Sequence, residues 1–113
     1  MEYQTKWKKV REIIEKARKE VVREVEGIKN HILEKHGKDL EKIAEELNIR
    51  YSMKIYEGDG DLFTITPVLY IKPLTKLDEK EKEELVEKVR KKMGEWGTQG
   101  RVRVIVVPEL VEI

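Results

Sequence analysis

From residue 5 to residue 36 the apolar positions of the chain keep helical time. Trp7, Val10, Ile14, Ala17 and Val21 alternate spacings of three and four, which places them in one stripe. Beyond Val21 the stripe moves on to Val25, Ile28 and Ile32, so residues eleven apart correspond: Val10 with Val21, Ile14 with Val25, Ala17 with Ile28. An eleven-residue period follows the natural turn of an α-helix closely, and the stripe stays straight instead of winding to the left. Ile13, Val22 and Leu33 widen it. Gly27 is its weak position, about 1 kcal/mol poorer than alanine, and a residue that small permits close approach of another helix. Gly37 predicts the stop, as a left-handed cap.

A second helix is expected over residues 38–47, with Leu40, Ile43, Ala44 and Leu47 on one face and Asn48 as its end. The pattern then changes period. Ile49, Tyr51, Met53 and Ile55 alternate with Arg50, Ser52, Lys54 and Tyr56, the signature of a strand over 49–56. Glu57 to Asp61 reads as a tight turn, and the return strand is expected over 62–71. Pro67 inside that strand argues for a sheet edge or a bulge. The last helix begins near Asp78, where Asp78 and Glu81 have capping-box spacing. Leu85, Val86, Val89, Met93 and Trp96 form its buried side, a glycine-spaced loop follows, and a final strand covers 101–107.

The expected order is α-α-β-β-α-β in a single α+β domain, residues 1–113, its ββαβ unit spanning 49–107. A right-handed connection from strand two through the helix places strand three beside strand one, antiparallel, giving order 2-1-3 with helices on one face. That is the split βαβ half of a ferredoxin-like fold. Such a sheet cannot cover a helix of this length. A helix of about 32 residues runs about 48 Å, against roughly 25–33 Å for the strands. Each large apolar side chain left in water forfeits roughly 1.5–3 kcal/mol. The overhang therefore predicts a homodimer through Trp7, Val10, Ile14, Ala17 and Val21, because two-fold pairs dominate among oligomers. The competing arrangement is a bend near Gly27 that folds both halves onto one core.

Composition sharpens this picture in a few places. Charged residues make up 42% of the chain, 24 Lys+Arg against 23 Asp+Glu, so the helix faces are solvated and laced with opposite charges. The Lys/Glu bias is that of hyperthermophile proteins and of many designed ones. Cysteine is absent, which excludes disulfides and thiolate metal sites and suits a reducing, cytoplasmic setting. No apolar run reaches the roughly 20 residues that span a bilayer.

Candidate chemistry is thin. Asp59 and Asp61 have part of the spacing of a calcium loop but lack the rest. His31 and His36 are five apart and do not share a helix face as zinc ligands at four would. His31 reads as a surface or interface residue and His36 as an exposed helix end. Ser52, the single serine, has no histidine in any recognisable motif. No catalysis, no cofactor and no metal is expected.

Two features point to nucleic acid. The segment DLEKIAEELNIR, residues 39–50, resembles the first helix of helix-turn-helix DNA-binding domains, through its Ile-Ala-x-x-Leu core. The resemblance implies a recognition helix next, yet the following residues alternate like a strand and leave only a winged variant open. The second feature is the sheet. If Tyr51, Met53, Ile55, Phe63, Ile65, Leu69, Val102, Val104 and Val106 face the core, the opposite face shows Arg50, Lys54, Lys72, Arg101 and Arg103 with Tyr56, Tyr70, Thr64 and Thr66. Val68, Ile105 and Val107 point the same way. Cations hold phosphates and aromatic rings stack bases in single-strand binders, so this face is the candidate nucleic-acid site.

Overall fold

In the computed structural model the described residues are 2–58 and 61–108. Helix α1 runs unbroken over Glu2–Leu47, followed by β1 (Ile49–Tyr56), a 3-10 turn (Leu62–Thr64), β2 (Thr66–Pro73), α2 (Glu79–Met93), a short α3 (Glu95–Gln99) and β3 (Arg103–Val106). The two expected N-terminal helices are one. Gly37 lies inside α1, not at a cap, because the apolar spacing runs through it from Ile32 and Leu33 to Leu40, Ile43 and Leu47. Burying that stripe outweighs the roughly 1 kcal/mol that a glycine costs a helix. Nor is the helix interrupted at Gly27. The stop falls at Asn48, whose φ of 56° supplies the left-handed turn into β1.

The core lies where α1 and α2 cover one face of the sheet. Ile32, Leu40 and Ile43 from α1 meet Ile49, Met53, Leu69, Ile71 and Val104 from the strands and Leu85, Val89 and Met93 from α2. Tyr51 is half-buried there, and burial first, then the nearby charge of Glu41, raises its phenol above the ordinary value. The Asp78 and Glu81 capping box opens α2 as its spacing predicts. Lys92 of α2 donates to Glu46 of α1 at 2.6 Å, and this hydrogen bond and charge lower the Glu46 carboxyl from its ordinary value.

The sheet differs from expectation. Its order is β1-β2-β3, with β1 antiparallel to β2 but β2 parallel to β3. The expected 2-1-3 order, the wholly antiparallel sheet and the split βαβ unit are therefore corrected to a hairpin followed by a βαβ unit with adjacent strands. The helices explain the choice. α1 turns back through one residue to lie on β1 and β2, and α2 packs with β3, so the free position for β3 is the far edge of β2.

This makes β2 the central strand, although Pro67 suggested an edge. β3 pairs only with Val68 to Ile71, so at Pro67 the sheet is two strands wide. β2 also starts later than expected. Asp61 accepts from the Phe63 N–H at 2.9 Å, and the Thr64 hydroxyl donates to the Asp61 carbonyl at 2.7 Å, curling residues 62–64 into a 3-10 turn. Phe63, expected in the core, is 82% exposed as a result. Asp59 and Gly60, at the tip of the expected turn, lie outside the described residues.

Gly94, with φ 68° and ψ −146°, breaks α2 from α3, and Trp96 belongs to α3. Half-buried His36, far from any helix end, stacks on Trp96 with ring centroids 4.5 Å apart and planes 4° from parallel. Gly94→Ala places a side chain in backbone that only glycine adopts readily, at a cost of about 1–3 kcal/mol. Gly37→Ala, helical and facing open space, gains up to about 1 kcal/mol. Urea unfolding midpoints compared at equal slope check both signs.

Candidate interfaces

Two surfaces stand apart from the core, and α1 builds the first. All four of its buried side chains, Val25, Ile32, Leu40 and Ile43, lie in its C-terminal half. Tyr3 is 74% exposed, Trp7 66%, Ile13 60%, Ile14 49% and Val10 40%. Ala17 and Val21 are half-buried. The subunit's own cover ends where Arg18 donates to the Glu57 carbonyl at 2.9 Å, past the end of β1. A shallow groove lined by Glu15, Arg18, Lys19, Val22 and Glu57 marks that limit.

Ile28 shows that the exposed stripe is more than an overhang. It is 45% exposed although Val25 and Ile32, one turn to either side, are 8% and 4% exposed. At about 100° per residue Ile28 sits about 50° round the helix from both. The stripe thus slides off the core-facing line and continues beside it, from Tyr3 to Ile28.

The second surface is the sheet face turned away from the helices. Antiparallel register sets Arg50 opposite Lys72, Ser52 opposite Tyr70, Lys54 opposite Val68 and Tyr56 opposite Thr66. Parallel register sets Arg103 beside Val68. Arg50, Lys54, Tyr56, Tyr70, Lys72 and Arg103 therefore share this face, and two cationic rows cross it: Arg50 with Lys72, and Lys54 with Arg103 across Val68. Like charges this close oppose folding unless another group lies between them.

The face is nevertheless less open than expected. Val68 is 0% exposed, Thr66 6% and Val107 7%, although all three lie on the face turned away from the helices. Arg103 also reaches across this face. Its guanidinium lies over the Tyr56 ring, 5.3 Å from the centroid, and Tyr56 is on β1, so the side chain crosses the central strand to reach it. A half-buried Tyr70 and a half-buried Ile105 adjoin it. The Thr66 hydroxyl is buried with no hydrogen-bond partner among the described residues.

Arg101 is put to another use. It stands outside β3 with φ 54°, the left-handed residue that closes α3: its N–H donates to the Thr98 carbonyl and that of Val102 to the Gly97 carbonyl. Its Nη2 donates to the Phe63 carbonyl at 3.0 Å, clamping the 3-10 turn to the start of β3. No sequence signal marked this; a cation where glycine is usual is the one trace it leaves. The helix-turn-helix likeness also fails geometrically, because residues 39–47 are the end of α1 and β1 follows at once.

Among the described residues no cluster of three or more histidines and carboxylates could hold a metal ion, and no helix is long and apolar enough to cross a membrane. Comparison with known proteins gives no match: no family model, no curated protein and no solved structure.

Replacing Arg103 with lysine removes the planar group that lies over Tyr56 and lowers stability by about 0.5–1 kcal/mol. Arg50→Lys, equally basic, is neutral within about 0.5 kcal/mol. Denaturant titration of the two variants side by side checks the contrast.

Proposed function

We propose that the protein is a non-catalytic assembly module that pairs with a second copy through the N-terminal half of α1. One observation carries this reading: six large apolar side chains of that helix, Tyr3, Trp7, Val10, Ile13, Ile14 and Ile28, stay substantially exposed, while its buried side chains, Val25, Ile32, Leu40 and Ile43, all lie toward the other end. Soluble monomers rarely carry a contiguous apolar patch on that scale. Covering each large side chain is worth roughly 1.5–3 kcal/mol, enough for the set to hold two copies together against the cost of association. A cysteine-free chain suits work in the cytoplasm.

Light scattering is expected to return twice the chain mass of 13.4 kDa. Ile14→Asp, at a position outside the core, is expected to return the single mass while near-ultraviolet circular dichroism of the globular half is retained. A monomer for the unaltered chain at micromolar concentration ends the proposal.

A second reading is nucleic-acid binding through the open sheet face, favoured by the two cationic rows, Arg50 with Lys72 and Lys54 with Arg103. The site in this reading is Arg50, Lys54, Tyr56, Tyr70, Lys72 and Arg103, with Arg101 at its margin. Retention of a single-stranded oligonucleotide is then expected at low salt, falling steeply as salt rises. Arg103→Glu and Tyr70→Ala are each expected to weaken it, the latter by the stacking of about one base. No retention at low salt removes this reading and leaves the first.

A further inference from the structure

Resting on the self-assembly reading, and going further than it, we infer that the second copy runs antiparallel, crossing the first near residue 15. The apolar stripe, Tyr3 to Ile28, is centred between residues 15 and 16. Its members then meet in reciprocal pairs: Tyr3 with Ile28, Val10 with Val21, Ile14 with Ala17. Trp7, the largest, falls between Val21 and Ile28 of the second copy, beside Val25, whose side chain is buried against its own chain.

Charge supplies an independent argument. Lys6, Lys9, Glu20 and Glu24 share a sector about 60° wide along one flank of the stripe, on the side away from the sheet. All four are exposed, and none makes an ion pair with any described residue. Lys6 and Glu24 are centred on residue 15, and Lys9 and Glu20 between 14 and 15. The charge pattern and the apolar pattern thus have the same midpoint within about one residue.

A surface whose cations and anions are exchanged by a rotation about its own centre is complementary to itself. That is the condition for a two-fold interface, in which the same patch serves both partners. A different protein would need no such symmetry. In an antiparallel pair equivalent flanks face each other, so Lys6 meets Glu24 and Lys9 meets Glu20, each contact occurring twice. A parallel pair instead sets the Lys6 flank against the opposite flank of the second copy, where Arg11 stands.

The extent is adequate as well. The stripe is about 39 Å long. Tyr3 and Trp7 belong to a class that buries about 150–250 Å² per side chain, and four aliphatic residues add to them, on the scale of the roughly 800 Å² per partner of a stable complex. The straight, eleven-residue period suits a crossing of two straight rods. The globular halves end up at opposite ends of a shared spine, with their sheet faces clear of each other.

Because the chain has no cysteine, an introduced thiol is the only one present. Val10→Cys and Val21→Cys chains, mixed and refolded under mild oxidation, are expected to form a mixed disulfide dimer, while neither variant links efficiently to itself. Lys9→Glu is expected to weaken dimerisation at least about tenfold, and Lys9→Glu with Glu20→Lys in one chain to restore it. Self-linking of each single variant, with dimer mass retained, overturns the antiparallel arrangement but leaves self-assembly standing. Dimer mass with no linking in any combination places the interface elsewhere and overturns both, as does a monomer mass for the unaltered chain.

Discussion

A mismatch in reach governs this molecule. β1 and β2 are eight residues long and β3 four, whereas α1 has 46 residues and sets a long axis of 60 Å. Everything that makes a core comes from one end of that rod. Ile32, Leu40 and Ile43 anchor it to Met53, Leu69 and Ile71, and α2 covers the rest of the same face beside β3. The first 20 or so residues find no shelter within the chain, yet they are as regularly apolar as the rest. Helix propensity alone does not account for Trp7, Ile13 and Ile14 on a free surface.

The same rod dictates the topology. A single left-handed residue, Asn48, sends β1 straight back beneath α1, so part of one face of the sheet is taken by α1 itself. α2 can then lie only toward the other edge, and β3 must arrive parallel to β2. The mixed sheet follows from where the first helix lies, not from any preference of the strands themselves.

Much of this was legible in the residues. β1 emerged with its expected bounds because strict alternation from Ile49 to Tyr56 has few other readings. The Asp78 cap and the Asn48 stop were written in side-chain chemistry. The strand order was not legible, because handedness rules restrict a crossover without saying which edge a preceding helix has blocked. Phe63 was misplaced for a local reason: Asp61 and Thr64 bend the backbone, and alternation cannot register a turn built from two hydrogen bonds. The exposed stripe was legible in outline, but its slide away from the core line at Ile28 was not, since periodicity shows a stripe without showing what covers it. On the sheet face, spacing located Arg103 but not its reach over the Tyr56 ring on the far strand.

The stacking of His36 on Trp96 gives the chain a built-in optical division. The two indoles sit in opposite surroundings, Trp7 two-thirds in water on the free rod and Trp96 lying flat against an imidazole where α3 docks. In a lone chain their fluorescence therefore separates into a long-wavelength part from the rod and a shielded part from the globular end, and covering the rod shifts the first part alone. Without any attached dye, the protein's own emission spectrum distinguishes events at one end from events at the other.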